Sequence, residues 1–338
     1  MKLNTFHFYL DLFYKIKFST KYCMSDNIFF ISRCKMKLKS KWPVRRFFAF
    51  LGALYLFCAV TPLLFAESGT AKSESGFRIY DTATETVRTV NDLDFLCRAL
   101  PCEMAVSAPD EALKAQIIAI HTLYDRKRRE NTGKDFDFTC DSAEKSIYTV
   151  DAGLTDEEQN RVRALCLSVL DKEIYFENEP INACYFAISA GCTQPFENVW
   201  PEKSYPYLTA VACPSDLLAQ EFQSATTFTE DEIRAAFSEI SFDDAPGKWF
   251  SDIQYFDTGY VEKLTVCGVE MTGVHVREAL GLRSASFTVT YENGAFTFTT
   301  LGYGHGVGMS QAAAITLAEG GMTVDEILAR FYPGTDIK

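Results

Sequence analysis

A lone carboxylate among apolar neighbours is the first residue in this chain that could do chemistry. In Leu100-Pro101-Cys102-Glu103-Met104 the glutamate stands just before a predicted helix. Desolvation there would raise its affinity for a proton, which a general acid working near neutral pH requires. A solvated loop glutamate fits the same residues. A second segment, Gly302-Tyr-Gly-His-Gly-Val-Gly-Met-Ser-Gln311, has glycine at 302, 304, 306 and 308. That density lets the backbone take positive φ and approach a ligand or another backbone closely as it enters a helix near Ser310. It has neither dinucleotide spacing nor the Gly-Lys-Ser/Thr end of a phosphate loop. His305 within it is a proton carrier, a hydrogen-bonding group for a ligand, or a pin that holds the loop. A third segment, Ser189-Ala-Gly-Cys-Thr193 followed by Trp200, offers hydroxyls and an aromatic face to a sugar, or is a plain turn. No Gly-x-Ser-x-Gly elbow surrounds a serine. His121, His275 and His305 are not paired at metal-ligand spacing.

The elements that must position these residues follow from local signals. Ser107-Ala-Pro-Asp110 has the capping-box pattern, and behind it Leu113, Ile117, Ile120 and Tyr124 form one helical stripe. Lys127, Arg128 and Arg129 suit the dipole at that helix's end, and Gly133 stops it. A second helix begins at Thr155-Asp-Glu-Glu158, with Val162, Leu165 and Val169 on its buried face. The period then changes: residues 173–177 and 181–189 read as strands joined through Asn178-Glu179-Pro180. Helices are expected after Thr229, Thr272 and Thr323, and a hairpin over 285–291 and 294–300 turning at Glu292-Asn293-Gly294. Helices and strands mix without strand-helix alternation, which points to α+β and not to a doubly wound sheet. A lobe boundary near Pro214 is consistent with the pattern.

Charge divides the 338 residues unevenly. Residues 1–66 carry eleven basic and two acidic side chains, within a chain of 33 Lys+Arg and 45 Asp+Glu. The basic part holds an uncharged apolar run, residues 47–66, preceded by Lys35, Lys37, Lys39, Lys41, Arg45 and Arg46. Such a run in a helix spans the ~30 Å hydrocarbon layer. The cations before it predict a single-pass cell-membrane protein with its N-terminus in the cytoplasm and the rest outside. Leu64-Phe65-Ala66 is a poor signal-peptidase site, so an uncleaved anchor is favoured over a secretory signal. Translation from Met36 is the expected start, because Met36 with Lys37, Lys39 and Lys41 makes a conventional anchor opening. The resulting organisation is a cytoplasmic basic segment at 1–46, an anchor at 47–66, a polar linker at 67–76 and an extracytoplasmic domain at 77–338. The acidic domain argues against nucleic acid as a partner. Its eight cysteines, at 97, 102, 140, 166, 184, 192, 213 and 267, form no C-x-x-C. In a compartment that permits disulfides, most still read as small buried hydrophobes.

Taken together these segments resemble the stage II sporulation protein D family, which also includes amidase enhancers. The resemblance is carried in order by Glu103-Met104, Glu111-Ala-Leu-Lys-Ala-Gln116, residues 186–193 with Val199-Trp200 and Pro206-Tyr207-Leu208, then Leu280-Gly-Leu-Arg-Ser284. Gly304-His-Gly-Val-Gly-Met-Ser-Gln311, Glu326-Ile-Leu328 and Tyr332-Pro-Gly-Thr335 complete it. It implies a membrane-anchored lytic transglycosylase of engulfment. Such an enzyme cleaves the β-1,4 bond between N-acetylmuramic acid and N-acetylglucosamine in peptidoglycan and leaves a 1,6-anhydromuramyl end. It implies a glycan-binding cleft with Glu103 catalytic and Gln116, Ser189, Thr193, Tyr303, His305, Ser310 and Gln311 as substrate contacts. The implied partners are the engulfment amidase, stage II sporulation protein P, and the membrane protein of the same complex, stage II sporulation protein M.

Departures from the family pattern set further expectations. Some members bind zinc through an upstream histidine and a C-D-x-x-H-C segment. Here the counterpart is Cys140-Asp-Ser-Ala-Glu-Lys145, so no zinc and no other cofactor is expected. His121 replaces the family's arginine, Cys192 a glycine, and Ala312-Ala313 a Trp-Gly pair. The competing readings are a non-catalytic scaffold or activator of a cell-wall amidase, and a structural protein of the spore envelope.

Overall fold

The computed structural model describes residues 76–141, 153–243 and 245–338. The basic segment, the start at Met36, the anchor at 47–66 and residues 67–75 of the linker lie outside the described residues. Among the described residues no helix is long and apolar enough to cross a membrane. They form seven α-helices and fourteen short strands, an α+β arrangement in which most strand pairs are antiparallel.

The first lobe opens with β1 (Phe77–Asp81) and β2 (Thr86–Val90), antiparallel in register Phe77 opposite Val90. Helix α1 (Asp92–Glu103) follows, capped by the Asn91 side chain, which accepts from the Asp94 amide at 2.8 Å. It is a helix that the sequence patterns do not announce, and it ends on Glu103. Pro101 enters the last turn without an N–H to give, and α1 closes two residues later on Glu103. Helix α2 (Asp110–Glu130) starts at Pro109, and the expected capping box at Ser107 does not form. The Pro109 ring holds an extended backbone (φ −56°, ψ 144°), so the helix begins after it with no side-chain cap. The Glu111 carboxylate instead accepts from the Val324 amide at 2.7 Å.

The expected α2 stripe is present, with Leu113, Ile117 and Ile120 fully buried. Burial extends beyond it to Ala112, Ala115, Ile118 and Ala119, because four helices surround α2. These are α1, α3 (Asp156–Val169), α6 (Gln311–Glu319) and α7 (Val324–Phe331). Each fully buried Leu or Ile contributes about 1.5–3 kcal/mol relative to exposure. α3 and α7 carry full capping boxes at Thr155–Glu158 and Thr323–Glu326. At the start of the lobe β3 (Phe138–Cys140) pairs parallel with β1 and brings Phe138 against Phe95 and Tyr124.

The two strands expected over 173–177 and 181–189 are shorter and differently paired. β4 (Ile174–Phe176) pairs antiparallel with β5 (Glu179–Pro180) and with the terminal β14 (Asp336–Ile337). The next strand is only β6 (Tyr185–Phe186), and it lies parallel to β13 (Met309–Ser310). The Cys184 carbonyl takes hydrogen bonds from the Met309 amide and the Tyr332 hydroxyl, so this stretch is organised by the far C-terminal part of the chain.

A second hydrophobic cluster is built by β7 (Gln223–Thr229), α4 (Glu230–Ala236), β8 (Phe250–Tyr255), β9 (Val261–Val266), β10 (Val269–Thr272), α5 (Gly273–Leu280), β11 (Phe287–Glu292) and β12 (Ala295–Leu301). Trp249, Phe287, Phe296 and Phe298 fill it. The expected helices after Thr229, Thr272 and Thr323 and the Asn293-Gly294 hairpin all form, with Asn293 and Gly294 at φ 53° and 83°. The lobe is an insertion, since the chain returns to the first cluster at Val307. A single boundary near Pro214 therefore describes only its entrance.

The glycine loop after β12 owes its path to close backbone approach. A Cβ on Gly308 would lie 2.0 Å from the Cys184 carbonyl oxygen, and its φ is +80°. Gly308→Ala should lower the unfolding free energy read from a urea titration by about 3 kcal/mol or more. Gly281, which caps α5 at φ +61° with open space around it, should cost only about 1 kcal/mol on the same change. Equal losses would remove close approach as the reason for glycine at 308.

Candidate functional site

Glu103 is half-buried at the C-terminal end of α1. Burial lifts its carboxyl above the ordinary glutamate range, while the Tyr185 hydroxyl, which hydrogen-bonds to it, and the nearby Lys127 charge pull the other way. The surviving direction is upward, toward a carboxyl that keeps its proton at higher pH. Tyr185 is in place because β6 lies beside β13, in register Tyr185 opposite Met309. Burial, with the Glu103 charge next, pushes the Tyr185 and Tyr124 phenols up, so both stay protonated donors. Lys127 lies over the Tyr124 ring at 4.4 Å, and burial lowers its ammonium.

The backbone of Glu103 is tied down separately. Gln311, at the start of α6, donates through Nε2 to the Glu103 carbonyl at 3.0 Å and to Gln116 Oε1 at 3.2 Å. One amide thus joins the end of α1, the middle of α2 and the start of α6.

His305 is resolved by its contacts. Its Nδ1 accepts from the Val307 amide at 3.1 Å, which leaves the proton on Nε2 to meet the Tyr185 carbonyl. Burial, then the Arg277 charge, pushes its pKa down to about 4. A neutral imidazole bonded on both nitrogens pins the loop to β6 and takes up no second proton at neutral pH. Its ring packs edge-on to Trp200 at 5.2 Å and against Phe186 at 5.6 Å. The Gln194 side chain fixes the same loop from the other side, donating to the His305 carbonyl at 2.8 Å. Trp200 and Tyr303 turn aromatic surface outward, 36% and 46% exposed, with Arg283 over the Tyr303 ring at 4.3 Å. Such faces suit stacking on sugar rings.

Of the contacts expected from the resemblance, Glu103, Tyr303, His305 and Gln311 keep accessible surface. Gln116, Ser189, Thr193 and Ser310, also expected as substrate contacts, are fully buried. The Thr193 hydroxyl links the Val211 amide and the Thr209 carbonyl. Ser189 and Ser310 converge on Asp216, whose Oδ2 accepts from the Ser189 amide at 2.8 Å and from Ser310 Oγ at 2.6 Å. The sequence reading missed Asp216, Tyr185, Lys127 and Gln194. Tyr185 lies one residue before the matched stretch at Phe186, a signal that could have found it. No local pattern marks Asp216.

Among the described residues no group of three or more His, Cys, Asp or Glu is placed to hold a metal ion. Residues 142–145 of the compared zinc segment lie outside the described residues. His121 is buried between the Asp92 and Glu173 carboxylates, at 3.6 and 3.7 Å.

The Tyr185 contact gives a pH test. The hydroxyl favours the ionised form of Glu103, so Tyr185→Phe removes a lowering influence and the carboxyl holds its proton to still higher pH. If Glu103 works as an acid, the alkaline limb of the pH–rate profile should move upward in the variant. A downward shift would show that the hydroxyl does not stabilise the carboxylate.

Residues 80–167 match a family model described as stage II sporulation protein. Stage II sporulation protein D of Bacillus amyloliquefaciens is 30% identical over 284 residues, covering 80% of this chain and 81% of that protein. The chain belongs to the stage II sporulation protein D family. The protein of that name from Bacillus subtilis is 29% identical over 270 residues, covering 77% and 78% of the two chains. The family link reaches further in part: an amidase enhancer of Bacillus subtilis is 32% identical over 91 residues, 25% of this chain and 13% of the enhancer. Glu103 and all of α2 fall within the stretch matched by the sporulation family model.

Proposed function

We propose that this sporulation-family protein is a peptidoglycan lytic transglycosylase. The observation that carries the reading is Glu103: a half-buried carboxyl with raised proton affinity, held by Tyr185 through its side chain and by Gln311 through its backbone. One such group suffices for the reaction. Protonated Glu103 gives its proton to the glycosidic oxygen as the bond to the muramyl C1 breaks. The resulting carboxylate then takes the proton from the sugar's own 6-hydroxyl as that oxygen bonds to C1 and closes the 1,6-anhydro ring. The internal hydroxyl stands where water attacks in ordinary glycoside hydrolysis, so the two-carboxylate scheme is not needed. Neutral His305 holds the loop that carries Tyr303, and the outward faces of Trp200 and Tyr303 offer stacking for glycan rings.

The same proposal places 47–66 in the cell membrane and the described residues outside the cytoplasm, in contact with the wall. Its partners are then glycan strands and, by family resemblance, the engulfment amidase and the membrane protein of that complex. A second reading, activation of a cell-wall amidase without cleavage, is favoured by the match to the amidase enhancer and by the burial of four expected substrate contacts. Mass spectrometry of purified peptidoglycan, with and without stem peptides, after incubation with the full-length chain separates the two. Anhydromuramyl ends support the transglycosylase. Unchanged glycan on both substrates, with faster release of stem peptides by the amidase, supports the activator.

A further inference from the structure

Helices α1 and α3 meet along a seam with two successive rungs. On one rung Arg163 Nη1 lies 3.7 Å from Asp94 Oδ1. Three residues further along both helices the next rung joins Cys97 and Cys166, whose thiols share a hydrogen bond. Equal steps of three keep the same pair of faces together. Cys166 is fully buried in the core of the first lobe, and Cys97 is half-buried at its edge. A disulfide needs about 2.05 Å between sulfurs, a shorter separation than thiol contact, which the pair would reach by rotation about the two Cα–Cβ bonds.

We propose that Cys97 and Cys166 are a disulfide-forming pair that staples α1, the helix ending on Glu103, to α3. In the cell the bond rests on the extracytoplasmic placement proposed above, where a thiol–disulfide oxidoreductase supplies the oxidant. Cys97 is the entry thiol: it has access to solvent, and the hydrogen bond from Cys166 eases its ionisation. Its thiolate attacks the oxidant's disulfide, forming a mixed disulfide and releasing one oxidant thiolate. That thiolate takes the Cys166 proton, and the Cys166 sulfur attacks Cys97 Sγ, expelling the second oxidant sulfur as a thiolate that takes up the Cys97 proton. Two protein thiols are oxidised by two electrons and one oxidant disulfide is reduced to two thiols. The link closes a loop containing α2 and constrains mainly the unfolded chain.

Glutathione disulfide serves as the probe on the full-length chain, folded and held in detergent. After alkylation of residual thiols and digestion without reductant, a joined peptide pair containing Cys97 and Cys166 is expected, lighter by two hydrogens than the separate peptides. The thermal midpoint should rise by about 5–10 °C and fall back on reduction. Cys166→Ser should trap glutathione on Cys97, whereas Cys97→Ser should leave Cys166 unmodified and the midpoint insensitive to oxidant. Recovery of both cysteines alkylated, or a link at Cys192–Cys213 in place of this one, would overturn the proposal. The readout is mass and melting, so a failed glycan assay and a failed crosslink remain separate results.

Discussion

Glu103→Gln should lower the rate of anhydromuramyl product formation by about 10²- to 10⁴-fold, the range of a positioned general acid. The amide has nearly the shape of the carboxyl, and its oxygen can accept from the Tyr185 hydroxyl. The Gln311 bond to the backbone carbonyl is untouched by the change. Fold and glycan binding should therefore persist while proton donation is lost. Parallel measurements of product formation and of co-sedimentation with insoluble peptidoglycan check this split. A variant that cleaves at the parent's rate would remove Glu103 from the chemistry. One that neither binds nor cleaves would point to a positioning role for the carboxylate instead.

The largest loss of stability is expected at Asp216. Its carboxylate is fully buried, and one oxygen receives both the Ser189 amide and the Ser310 hydroxyl, 27 and 94 residues away in the chain. Asp216→Ala leaves both donors buried without that acceptor, at about 1–3 kcal/mol each. A fall of about 10 °C in the thermal midpoint follows for a domain of this size. Asp216→Asn retains an acceptor oxygen and should lose less, so the order parent, Asn, Ala tests hydrogen bonding against simple volume. Equal melting of all three would show that the two loops are held elsewhere. Because Ser310 caps α6 and precedes Gln311, the Ala variant should also loosen the tether on Glu103.

The parts of this protein that were legible in the sequence are those whose physics is local. Thr155, Thr229 and Thr323 each precede a glutamate by three residues and each form a full capping box, because both groups lie within one helical turn. Asn293-Gly294 turns the hairpin because both residues tolerate the positive φ that the turn demands. Glu103 could be singled out because its apolar neighbours already implied a desolvated carboxyl. Pro109 shows where such reading misleads: Ser107 carries the cap pattern, but the ring two residues later moves the helix start. Tertiary structure alone decided the rest. The pairing of β6 with β13 joins residues more than a hundred positions apart and brings Tyr185 to Glu103. The Gln311 bridge spans 208 residues. The fates of Ser189 and Ser310, both buried on Asp216, depend on where three distant loops come to rest. Chemistry that one helical turn or one hairpin can hold is written in neighbouring residue types. A carboxyl tuned by groups from two other segments acquires its environment only when the core has closed around it.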